Sequence, residues 1–173
     1  MILSGNEIVN NLGKNIIIKP FVKENINPNS YNLRLYDELL IYEDELLDAA
    51  KANKTKQILI PAEGYVLQPG QLYLGRSLEY TETHGFVPIL QGRSSVGRLG
   101  VTVHITAGFG DVGFCGYWTM QLTCIKPVRI YPRMKICQIY YQTVLGNIDE
   151  YDSAKYQNNN SAQASHMYEE LER

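Results

Sequence analysis

The chain has 173 residues, 45% hydrophobic and 20% charged, with a formal net charge of −2, which suits a single domain over residues 1–173 and leaves little room for a second core. Such a near-neutral surface has no general attraction for phosphate polymers, so nucleic-acid binding is not expected. No apolar run approaches the ~18 residues of a membrane span, and MILSGNEIVN lacks the basic start and apolar stretch of a secretory signal, so the expectation is a cytoplasmic protein with no membrane partner.

In chain order, SGNE at residues 4–7 has the form of a capping box, with Ser4 accepting from the Glu7 amide and Glu7 reaching back; a short helix through about Leu12 is predicted. IIIKP reads as a strand stopped by Pro20, and NPNSYNLRL as a turn leading into a strand. Residues 43–57 are polar, and DELLDAAKANK reads as a short helix or an excursion between strands, with no function assigned to it.

From PAEGYVLQPGQLYLGRS onward, Gly and Pro recur every eight to twelve residues with β-branched or aromatic residues between them, which predicts a mainly β barrel or sandwich. In VTVHIT the period of two puts Val101, Val103 and Ile105 on one face and Thr102, His104 and Thr106 on the other. In WTMQLTC, Trp118, Met120, Leu122 and Cys124 alternate with Thr119, Gln121 and Thr123, so Gln121 belongs to the polar face. Residues 151–173 are polar with little apolar periodicity, and read either as a frayed terminus or as a flap that orders over a charged ligand.

Three cysteines, Cys115, Cys124 and Cys137, show no CxxC spacing and are expected to be small buried apolar residues rather than a disulfide framework or a zinc site. His84, His104 and His166 are too scattered in sequence to propose a metal centre. Any metal is expected to arrive with a ligand.

Two segments concentrate polar chemistry. QGRSSVGRLG, residues 91–100, sets two arginines and two serines among glycines, and such a stretch can present amides, hydroxyls and guanidinium forks to phosphate oxygens. It matches neither a Walker loop nor a dinucleotide fingerprint, and a polar connection between strands accounts for the same composition. TAGFGDVGFCG, residues 106–116, surrounds the lone carboxylate Asp111 with glycines that permit a tight reversal against a ring or sugar, with Phe114 packing on the sugar. The alternative is a β-turn in which Asp111 bonds nearby amides.

QGRSSVGR, VHITAG, the D-x-G-F-x-G of DVGFCG, KICQI and AKYQ follow one another in the order of the dCTP deaminase branch of the trimeric dUTPase superfamily, and IIIKPF with SYNLRL is similar to its amino-terminal part. The chain most resembles the bifunctional deaminase/dUTPase members. That resemblance implies a distorted antiparallel β-barrel, jelly-roll-like, with one or two short helices. It also implies a homotrimer with three sites between subunits, each taking dCTP or dUTP with Mg²⁺ held through the triphosphate and no zinc, and dTTP as an inhibitor in some relatives.

By the same resemblance, Arg93, Ser94 and Ser95 hold phosphates, Ser94 lies near the reactive water and Arg98 positions that water. His104, Thr106 and Ala107 line the base. Asp111 sits near the 3′-hydroxyl and orients water in dUTP-cleaving relatives, and Phe114 lies at the sugar. Gln138 is the glutamine of the KICQI strand, and Lys155 and Tyr156 close on the triphosphate as part of a lid. Two positions depart from the pattern: Asn159 stands where relatives have a phosphate-side Gln, and Gln121 stands at the catalytic Glu.

The second departure bears on function. A zinc-free deaminase needs a carboxylate to take the proton from water as it attacks C4 and to pass protons toward N3 and ammonia, and an amide cannot do this. General acid–base steps are worth about 10²- to 10⁴-fold, or about 3 to 5 kcal/mol of barrier. The expected activity is therefore that of a dCTP deaminase-family enzyme, forming dUTP and from it dUMP and pyrophosphate, with deamination impaired. The alternatives are a dUTP diphosphatase without deaminase activity, an engineered Glu-to-Gln form of an ordinary dCTP deaminase, a branch that uses another base, or a non-catalytic deoxynucleotide-binding regulator.

Overall fold

The computed structural model describes residues 1–151 and 155–171. Helix α1 (Gly5–Asn10) begins at Ser4, whose Oγ accepts from Glu7 N at 3.2 Å. Only that half of the capping box forms, because the Glu7 carboxylate turns forward to Asn10 and Asn11. Strand β1 (Ile16–Lys19) ends at Pro20 as predicted. β2 (Ile26–Asn27) turns at Pro28–Asn29 into the long β3 (Ser30–Tyr42). Residues 43–54 form no helix; they are the excursion between β3 and β4 (Thr55–Leu59), which pair from Glu38↔Leu59 to Tyr42↔Thr55.

The following strands are β5 (Tyr65–Leu67), β6 (Tyr73–Thr83) and β7 (Phe86–Gly92), then the helical turn α2 (Ser94–Gly97) and β8 (Val101–Val103). After them come β9 (Cys115–Cys124), β10 (Val128–Ile130), β11 (Lys135–Thr143) and a last turn, α3 (Tyr168–Leu171). Every strand pairing is antiparallel. The main sheet runs β7–β11–β3–β6–β9–β8, with β1 on β6 and β2 and β4 on β3, while β10 and β5 form a separate ribbon. The chain leaving β8 then returns to β7: Leu90 N donates to Gly108 O at 2.7 Å and Gly110 N to Pro88 O at 2.9 Å. The two edges of the path are thereby joined, giving the nearly closed barrel expected for a mainly β chain.

Curvature comes from irregularities that side chains repair. Between Arg76↔Thr119 and Tyr80↔Tyr117 the β6–β9 register slips, leaving Trp118 N without a carbonyl opposite, and Ser77 Oγ accepts from it at 3.0 Å instead. The slip also turns Glu79 inward, where its carboxylate accepts from Arg34 N at 2.8 Å and Arg34 Nε at 2.6 Å. Burial raises the Glu79 pKa while Arg34 opposes that shift, so the pair ties β3 to β6 at the bend.

The core is one contiguous cluster built from the inward faces of these strands, including Leu33, Leu35, Leu39, Met120, Leu122 and Ile139, all fully buried. β9 alternates as its sequence predicts, with Trp118, Met120, Leu122 and Cys124 buried. Cys124 and Cys137 are buried free thiols, but Cys115 is only half-buried. β8 departs from its predicted alternation. It stops at Val103, and His104 adopts φ 53°, which swings its ring inward to 7% exposure and puts Ile105 out at 75%. Ile105 therefore does not share the buried face of Val101 and Val103.

Candidate active site

β9 supplies the floor of the principal cavity. Tyr117, Thr119 and Gln121 line it from the face opposite the core-directed Met120 and Leu122. Trp118 also reaches the lining, and its Nε1 donates to Thr81 Oγ1 at 3.0 Å, which fixes the indole plane. Phe114 leans on the indole at a ring separation of 4.8 Å, and His104 meets it edge-on at 6.3 Å. Leu72 and Leu74 add aliphatic surface, and Tyr42 closes one side. The cavity measures about 430 Å³, the scale of a small-molecule site.

The left-handed conformation at His104 connects backbone to chemistry. His104 N donates to Gln121 O at 2.9 Å, so the loop after β8 starts from the residue that carries the amide. Gln121 Oε1 and His104 Nδ1 are both buried there; neither reaches good hydrogen-bond geometry, but the two side chains lie close enough to interact with each other. Burial lowers the His104 pKa; the Ala107 backbone and the Gln121 side chain pull weakly the other way. The imidazole is accordingly neutral at pH 7. Among the described residues that line the cavity there is no Asp or Glu. The walls offer stacking surface, an acceptor and a neutral imidazole, which is recognition chemistry for a flat polar heterocycle.

The tail lies over this cavity. Asn158 N donates to Cys115 O at 2.8 Å, Asn159 Oδ1 accepts from Tyr117 N at 2.8 Å, and Gln163 N donates to Thr119 Oγ1 at 3.0 Å. Ser165 N then reaches the Tyr42 hydroxyl at 2.9 Å, and His166 N the Tyr156 hydroxyl at 3.0 Å. Tyr156, Asn159, Gln163, Ala164 and Ser165 complete the lining. Of the proposed lid, 152–154 and 172–173 lie outside the described residues, including Ala154 of the AKYQ motif.

Six of the residues singled out in the sequence therefore meet at one cavity: His104, Ala107, Phe114, Gln121, Tyr156 and Asn159. The others do not line it. Ser94, Ser95 and Arg98 are exposed on or beside α2, and Arg93 Nη1 donates to Lys135 O at 2.9 Å. Thr106 and Asp111 are exposed in the loop between β8 and β9. Gln138 accepts from Ser30 Oγ at 2.8 Å beside a separate small cleft. Lys155 forms an ion pair with Glu170. The glycines of the 106–116 loop serve protein packing: a Cβ at Gly108 would fall 2.4 Å from Leu90 O, and one at Gly110 2.4 Å from Trp118 Cη2. Sequence reasoning missed Trp118 and Thr119 as lining residues, although both precede Gln121 on a recognised strand and Thr119 shares its polar face. It had no signal for Gln163 or Ser165, whose positions depend on where the tail folds.

A nearly closed antiparallel barrel with an aromatic cavity of small-molecule size under its own tail, and no carboxylate among the described lining residues, defines the class of protein by its fold. A dCTP deaminase-like family profile matches residues 2–144. "dCTP deaminase, dUMP-forming" of Clostridium acetobutylicum is 59% identical over 171 residues, 99% of both chains, and the protein of that name from Cytophaga hutchinsonii is 54% identical over the whole of both. A crystal structure of 2′-deoxycytidine 5′-triphosphate deaminase from Agrobacterium tumefaciens superposes with TM-score 0.65 at 16% identity. The match covers 81% of this chain, which spans about half (46%) of that longer one. The chain belongs to the dCTP deaminase-like family.

Proposed function

We propose that the cavity binds the pyrimidine of a 2′-deoxynucleoside triphosphate, and that the protein is a dUMP-forming enzyme in which deamination of dCTP is the impaired step. The observation that carries this reading is Gln121, whose amide stands beside the neutral His104 ring in an aromatic wall with no carboxylate among its described residues. An amide oxygen there can accept from the exocyclic amino group of cytosine, and the amide N–H can donate to a ring carbonyl. It cannot take a proton from water. The named relatives, at 54–59% identity over essentially the full chain, support the substrate class.

Hydrolysis of dUTP needs other parts. Water adds at the α-phosphorus, the bond to the bridging oxygen breaks, and dUMP and pyrophosphate leave; Asp111 orients the water, while Arg93, Ser94 and Ser95 bind phosphate oxygens and Arg98 helps place the nucleophile. Mg²⁺ enters with the triphosphate as part of the substrate and, when bound, supplies charge neutralisation at the phosphoryl oxygens. The donor set fits an ion held by phosphate, because no carboxylate lines the cavity among the described residues.

The phosphate-side residues belong to a second copy in this reading. Support comes from the exposure of Ser94, Ser95 and Arg98 around α2 and from apolar side chains beside them: Leu99 and Ile125, 57% and 75% exposed, adjoin the bond from Ile125 N to Gly100 O. A homotrimer would cover such a surface.

The test follows three products from dCTP and dUTP in Mg²⁺. Pyrophosphate and dUMP form from dUTP, and ammonia from dCTP appears slowly. Gln121→Glu raises ammonia release by about 10²- to 10⁴-fold, and Asp111→Asn suppresses dUTP cleavage. Rapid ammonia release from the unmodified chain, or none of the expected gain in Gln121→Glu, defeats the acid–base assignment. Tight nucleotide binding with neither product points to a regulator instead.

A further inference from the structure

Away from the cavity, the end of β6 and the start of β9 assemble a donor set of a different kind. The antiparallel register sets Glu82 opposite Cys115. Two residues on, His84 is held at the β6–β7 turn by its N–H to Asn15 O at 2.7 Å. One ligating atom from each of Glu82, His84 and Cys115 lies within 4.8 Å of the others. Behind the ring stands Glu150, whose two carboxylate oxygens lie 3.2 and 3.4 Å from His84 Nδ1. That leaves Nε2 on the side of Glu82, 3.7 Å from its Oε2. A carboxylate on one imidazole nitrogen, with donors gathered at the other, is the arrangement that fixes the tautomer and direction of a metal-bound histidine.

We infer that Glu82, His84 and Cys115 form a site for one divalent transition-metal ion, Zn²⁺ in its simplest form, with Glu150 orienting His84 from behind. One carboxylate oxygen, one imidazole and one thiolate suit Zn²⁺, whereas Mg²⁺ takes oxygen ligands and keeps its waters. This ion is thus distinct from the one that travels with a triphosphate. Three protein ligands leave the fourth tetrahedral position to water.

The site's place in the fold says what the ion does. Cys115 N donates to Gln157 Oε1 at 2.9 Å, and Tyr151 N, next to Glu150, donates to Val112 O at 2.6 Å. Cys115 also follows Phe114, a wall of the cavity. A bound ion clamps the point where the tail leaves the barrel and fixes the first residues of β9.

Titration of the nucleotide-free full chain with Co²⁺ tests this directly. One equivalent per chain produces a near-ultraviolet thiolate-to-cobalt band that Zn²⁺ displaces, and Cys115→Ser abolishes the band. Glu150→Ala, which leaves all three ligands in place, weakens binding by about 10- to 100-fold, and His84→Gln, which removes a ligand but keeps the thiol, weakens it at least as much. Zn²⁺ at a hundredfold excess over its Kd raises Tm by roughly 5 °C or more in the unmodified chain and not in Cys115→Ser. No band at stoichiometric Co²⁺ overturns the site. So does a band that survives Cys115→Ser, which would belong to Cys124 or Cys137, or affinity unchanged in both other variants.

Discussion

At residue 121 the difference between an amide and a carboxylate is one proton acceptor. Gln121 is half-buried in the cavity wall, so its amide edge borders whatever enters, and none of the described lining residues is acidic. His104 is the only group among the described lining residues that can accept a proton at neutral pH, since burial holds it in the neutral form. Residual ammonia release should therefore depend on His104 and disappear in His104→Gln. The same burial has a consequence for stability. As pH falls below 6.5, the unfolded chain protonates this histidine before the folded one does, so the folded state loses stability through that window and gains nothing from the residue above it. Urea midpoints between pH 7 and pH 5 should fall less steeply in His104→Gln than in the unmodified chain; parallel curves would contradict the depressed pKa.

Among the elements, the strands followed from sequence where a single face is buried along their whole length. β9 keeps strict alternation from Cys115 to Cys124 because one side packs on the core throughout. β8 failed that rule after three residues, since a period of two cannot report a backbone that turns left-handed at His104. α2 lies within the stretch whose composition fits a polar connection between strands, because Arg-Ser-Ser-Val-Gly carries no helical periodicity over so short a span. The turn before β11 holds a stability prediction. Pro132 and Arg133 occupy its central positions, Met134 N donates to Tyr131 O at 3.5 Å, and Arg133 sits at φ 63°. That conformation suits glycine at the third position of a type II turn. Arg133 is exposed, so Arg133→Gly should stabilise the fold by about 1 kcal/mol in urea denaturation; a loss of stability would mean the guanidinium makes a contact worth more than the strain.

For the whole molecule, the separation of α2 from the cavity has a measurable signature. If active sites form between copies, co-assembling Ser94→Ala chains with Trp118→Ala chains should restore about a quarter of the wild-type sites, because one in four random pairings joins an intact cavity to an intact α2. A site within one chain gives no recovery. The solution mass should be three times the 19.7 kDa of the chain. By itself the sequence determined the mainly β architecture, the buried face of β9 and the order of the polar motifs, because alternation, glycine spacing and motif order are local properties of a chain. Only the tertiary structure decided that His104 turns inward beside Gln121, that the tail closes over them, and that Glu82, His84 and Cys115 meet. Those contacts join residues up to about 120 positions apart, and the register slips and left-handed turns that align them leave no period in the sequence to read.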